Sequence, residues 1–105
     1  MLFRSAMVFP VGVGFDLVSK LHPGIELYQP DVVGFKHGPE GLQPVYAEDV
    51  KHPSSAGSYL AACVIYAVLT GHSPQGLAFS ADLDPAIVEI LQRSARDAVD
   101  NYYTE

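Results

Sequence analysis

Cysteine is nearly absent from this chain of 105 residues: Cys63 stands alone. A single thiol excludes an internal disulfide. Its place inside an apolar run reads as a small buried hydrophobe. Tryptophan is missing, and basic residues are scarce, with six Lys and Arg against twelve Asp and Glu. The resulting charge of −6 and pI near 5.0 argue against nucleic acid and anionic membranes as partners, since both need a basic face. A long apolar run is lacking too. The longest, Ala56 to Leu69, falls short of the about 17–25 residues of a membrane helix. Arg4 and Ala6-Met-Val-Phe9 suggest the start of a signal peptide. However, Pro10, Gly12 and Gly14 break the stretch and no small-x-small cleavage pattern follows. The expectation is a cytoplasmic protein.

What is present is apolar: 49% of the residues are hydrophobic and the mean hydropathy is +0.16. That is too apolar for a disordered chain. The length suits one small domain over residues 1–105. Met7 to Phe9 reads as a buried strand. Phe15, Leu17, Val18 and Leu21 have helical spacing, and His22-Pro-Gly24 stops that helix. Ile25 to Tyr28 reads as a second strand, which suggests a parallel β-α-β unit. Residues 29–53, with prolines at 30, 39, 44 and 53, read as a loop insertion. Ala56 to Leu69 is a helix that is apolar almost all round, which normally means burial. Gly71 caps its C-terminus. Asp84-Pro85 opens a last helix to about Tyr102. Its apolar stripe is Ile87, Val88, Leu91, Ala95, Ala98, Val99 and Tyr102. Its outer face offers the i, i+4 pairs Glu89–Arg93, Arg93–Asp97 and Arg96–Asp100.

The stretch that carries chemistry is Asp49-Val-Lys-His52-Pro-Ser-Ser. Pro53 pushes His52 toward extended backbone, and Ser54 or Ser55 can cap the helix beginning near Ala56. His52 then sits in an elbow ahead of a helix N-terminus. A carboxylate three residues back can take one imidazole N–H and leave the other nitrogen as a general base. These are two members of a nucleophile–histidine–acid triad. The structural alternative is a pair of surface loop residues. The serines stand at 5, 19, 54, 55, 58, 73, 80 and 94, and none lies in Gly-x-Ser-x-Gly or Gly-Asp-Ser. A metal site from His22, His37, His52, His72 and Cys63 is disfavoured by their wide spacing. No cofactor is expected.

His52-Pro-Ser-Ser-Ala-Gly-Ser-Tyr-Leu-Ala-Ala-Cys63, continuing to Thr70-Gly-His-Ser-Pro74, resembles the C-terminal block of the SGNH (GDSL-type) hydrolases. Val8-Phe-Pro-Val-Gly12 and Glu26-Leu-Tyr-Gln-Pro-Asp31 resemble the segment preceding that block. The resemblance covers roughly residues 7 to 77. It implies an α/β fold: part of a flavodoxin-like three-layer arrangement with a short parallel sheet and flanking helices. It also implies that Asp49 orients and His52 acts as base in a serine esterase. The insertion leaves Asp31 as the alternative acid. The family's Gly-Asp-Ser nucleophile motif and oxyanion-hole residues have no counterpart here. The chain therefore reads as the Asp–His segment of an ester hydrolase, weakly active or inactive alone. Its expected ligand is a small-molecule ester, and its expected partner a second copy or a missing N-terminal segment. The reading from another class is a non-catalytic, self-associating interaction module on a hydrolase-derived scaffold.

Overall fold

The computed structural model describes residues 8–103; for Asp31 and residues 47–51 it describes the backbone alone. The elements run α1 (Val11–Leu21), β1 (Tyr28–Gly38), β2 (Gly41–Pro53), α2 (Ser55–Thr70) and α3 (Pro85–Tyr103). Three helices pack on one another, and a two-stranded antiparallel hairpin extends from them.

The mixed α/β content expected from the sequence is present, but the parallel three-layer arrangement is not. Among the described residues there is no parallel sheet. Met7 lies outside them, and Val8 and Phe9 form no strand. Helix α1 begins directly after Pro10, so Gly12 and Gly14, which break the apolar stretch in the sequence, belong to its first turns. The stretch 29–53, expected to be a loop insertion, is most of the hairpin. Its prolines misled the expectation. Pro30 and Pro44 each sit in a strand with only one neighbour, where a missing N–H can face away from the ladder. Val32, Val33, Phe35, Val45 and Tyr46 supply the β-branched and aromatic residues that suit a pleated ribbon. Pro39 and Glu40 form the tip between the paired Gly38 and Gly41. Gly41 has φ +108°, a conformation glycine tolerates and most residues do not.

Helix α2 is central to the core. Tyr59, Leu60, Cys63 and Val64 meet Phe15 and Val18 of α1 and Val88, Leu91 and Ala95 of α3, with Leu27 closing one end. This gives the all-apolar helix most of the partners its sequence demands. A strip of Ser58, Ala62, Ile65 and Leu69 stays exposed on its remaining side. Ser54 is the N-cap, its Oγ accepting from the Gly57 N–H at 3.1 Å, and Gly71 at φ +73° is the C-cap. In α3 the Asp84 carboxylate accepts from the Ala86 N–H at 2.8 Å, as the Asp-Pro start predicts. Four of the seven predicted stripe residues, Val88, Leu91, Ala95 and Ala98, are buried; Ile87 and Val99 are half-buried and Tyr102 is exposed. Arg96 turns toward its chain neighbour Asp97 at 2.7 Å and toward Gln75 at 2.6 Å.

Candidate functional site

The elbow expected around His52 forms, built from the end of β2 and the first turn of α2. Three hydrogen bonds fix it. The Ser54 N–H donates to the Leu27 carbonyl at 2.8 Å. The Ser54 hydroxyl donates to the Glu26 carbonyl at 2.7 Å while accepting from Gly57. The chain before β1 is thus tied to the start of α2. Gly57 is required there: a β-carbon would lie 2.2 Å from the Leu27 carbonyl oxygen. Both hydrogen-bonding roles of Ser54 are used on backbone, so it is a cap and not a nucleophile.

His52 is exposed, opposite Gln29 in the ladder. Its Nδ1 lies 3.2 Å from the Pro53 carbonyl oxygen. A carbonyl only accepts, so in this contact Nδ1 carries a hydrogen and is the donor. The side chains of Asp49 and Asp31 lie outside the described residues, but their backbone positions are informative. The register runs from Pro30 opposite Lys51 to Val32 opposite Tyr46. Asp31 on one strand and residues 47–50 on the other therefore fall in a single irregular step. Regular alternation would put positions 49 and 52 on opposite faces. The irregular step interrupts that alternation, so the register assigns positions 49 and 52 no common face. The two candidate acids fall in the same irregular step of the ribbon, separated from the His52–Gln29 level by the Lys51–Pro30 pair.

Sequence reasoning missed a second polar cluster. Gln92 is buried within α3. Its Nε2 donates to the Tyr59 hydroxyl at 2.9 Å and to the Leu77 carbonyl at 3.1 Å. Its Oε1 accepts from the Gly76 N–H at 2.9 Å. The Tyr59 hydroxyl in turn donates to the Phe79 carbonyl. The signal was available: Gln92 stands four residues after Val88 and beside Leu91, inside the apolar stripe. An open hollow of about 350 Å³ lies alongside, lined by Leu77, Leu83, Val88, Glu89 and Gln92 among others. Gln92 is committed to holding the α2–α3 connection, which gives the cluster a structural role. Burial pushes the Tyr59 hydroxyl and the Cys63 thiol above their ordinary values. A thiol so held is a poor nucleophile.

Among the described residues no three His, Cys, Asp or Glu side chains gather into a group that could hold a metal ion. No helix there is long and apolar enough to cross a membrane. Comparison of the chain with protein-family models, with curated proteins and with solved structures gives no match in any of the three.

Proposed function

We propose that this chain carries the acid–base half of an ester-hydrolysing site of SGNH type, with His52 as proton acceptor and Asp49 as its acidic partner. The observation that carries the reading is the His52 elbow. The ring is exposed and the backbone that follows it is fixed at the start of α2. In this role Nε2 takes the proton of a serine hydroxyl as the oxygen attacks an ester carbonyl. It returns that proton to the departing alkoxide, and the same exchange with water releases the acid. This reading takes the serine from outside the chain: no serine here lies in a Gly-Asp-Ser or Gly-x-Ser-x-Gly motif, and Ser54 is a helix cap.

Nitrogen NMR of the His52 ring tests the base. The expected neutral form carries its hydrogen on Nδ1, and Asp49→Asn shifts the ring signals whereas Asp31→Asn leaves them nearly in place. A neutral ring with the hydrogen on Nε2 removes His52 as base. An effect confined to Asp31→Asn exchanges the acid. Treatment with a fluorophosphonate, followed by intact-mass measurement, tests the division of the site. The isolated chain is expected to take up no adduct. An adduct that His52→Ala abolishes places a nucleophile within this chain and overturns the half-site reading.

A further inference from the structure

The hairpin has one apolar face, and very little of it touches the helices. Cross-strand partners share a face and neighbours along a strand alternate. The register pairs Phe35 with Pro44 and His37 with Leu42 on one side; alternation along β2 adds Tyr46 to it, and the irregular step between Val32 and Gly34 brings Val32 opposite Tyr46. Gly34, Lys36, Gly38, Gln43 and Val45 lie on the other. The second assignment has its own check: a β-carbon on Gly38 would strike the Gln43 side chain at 2.3 Å, so those two positions share a face. On the apolar side Phe35 is 68% exposed, Leu42 67% and Tyr46 53%. At the hairpin base Tyr28 tilts against Phe15 at 5.3 Å, and β2 meets α2.

A lone two-stranded ribbon is marginal in water, and a patch of this kind marks an interaction surface. We propose that this face packs against the same face of a second copy of the chain, about a two-fold axis. Area and charge choose the occupant. Counting about 150–200 Å² for each large side chain, Val32, Phe35, Leu42, Pro44 and Tyr46 expose roughly 500 Å² per copy. With the ribbon backbone and His37 this approaches the about 800 Å² that each partner gives to an interface of standard size. A two-fold interface uses one patch twice, so it needs a self-complementary surface. This face is apolar, and Lys36 and Glu40 cancel over residues 32–46. The copies otherwise repel, at −6 each. Antiparallel overlap of the ribbons keeps the charged helical bodies apart. The thirteen residues of β2 reach about 40 Å at 3.3 Å each, far beyond the about 8–10 Å over which salt screens charge. The molecule is accordingly long, 60 × 31 × 24 Å. The inference stands apart from the role of His52.

Light scattering on a sizing column tests it with the full chain. At about 100 μM the expected mass is twice the 11.3 kDa of one chain. Leu42→Asp combined with Phe35→Asp is expected to halve it with the helical circular dichroism unchanged. Gln43→Ser, on the opposite face and without change of charge, leaves the dimer intact. Hydrogen exchange of the unaltered chain supplies a readout independent of any variant: amides of residues 32–46 gain protection as protein concentration rises. A wild-type monomer at that concentration, a dimer insensitive to the double substitution, or exchange at 32–46 that ignores concentration each overturns the proposal.

Discussion

The carbonyl oxygen of Leu27 occupies the space where a side chain on Gly57 would begin, 2.2 Å from the position of its β-carbon. That oxygen also accepts the Ser54 N–H, so it has no freedom to retreat without breaking the elbow. Gly57→Ala is therefore expected to destabilise the protein by about 2–4 kcal/mol, despite the better helix propensity of alanine. Gly12 is the control. It lies in α1 with nothing within 4 Å of its β-carbon position, so Gly12→Ala is expected to stabilise by up to about 1 kcal/mol. Urea unfolding of the two variants gives opposite shifts in midpoint; shifts of the same sign refute the close-approach argument.

Ser54 joins the chain before β1 to α2 through a single oxygen. Ser54→Ala removes an N-cap and an acceptor's partner together, and a loss of about 1–2 kcal/mol follows. Ser54→Asp keeps the cap but cannot donate to Glu26 when ionised. It is expected to recover part of the loss and no more. Full recovery by aspartate, measured by thermal unfolding, removes the Glu26 contact from the energetics.

Gln92 and Tyr59 act as one unit. Gln92→Leu leaves the Gly76 N–H and the Leu77 carbonyl without their side-chain partner and is expected to cost about 3 kcal/mol. Tyr59→Phe keeps the ring against Phe79, 5.9 Å away, and loses only the hydroxyl, for about 1–2 kcal/mol. The double variant is expected to lose clearly less than the sum, since both singles break the same bond. Additive losses in a double-mutant cycle show that the two groups are not coupled.

The helices were legible in the sequence because their signals are local. Ser54, Gly71 and Asp84-Pro85 mark ends through bonds formed within four residues, and the stripe around Val88, Leu91 and Ala95 repeats at the helical period. The hairpin was not legible, because its reasons are relational. Pro30 and Pro44 look like breakers until each strand is known to have one neighbour. The apolar face of Val32, Phe35, Leu42 and Tyr46 emerges only from a register with two irregular steps, which interrupts the alternation a reader would count. The elbow at His52 was readable from Pro53 and Ser54. The proximity of positions 31 and 49 was not, since it depends on how β1 and β2 pair. Gln92 was passed over because a polar residue in an apolar stripe reads as a flaw until its three partners are seen.

The two groups that burial raises, Cys63 and Tyr59, predict how stability changes in alkali. For both the largest cause is loss of hydration, which disfavours the charged form in the folded state. The folded values lie above the unfolded ones, near 9.0 for the thiol and 10.0 for the phenol. Below about pH 8 both groups are neutral in both states and the full stability is present. As pH rises through the unfolded values, only the unfolded chain releases protons, and stability falls. The thiol alone is expected to remove up to about 1 kcal/mol between pH 9 and pH 10. Cys63→Ala lowers stability at every pH, since it empties core volume, but it flattens this part of the profile. Denaturant unfolding at intervals from pH 7 to pH 10.5 checks it. A wild-type profile that stays level to pH 10, or one whose slope Cys63→Ala leaves unchanged, shows that the thiol ionises as readily in the fold as in the open chain.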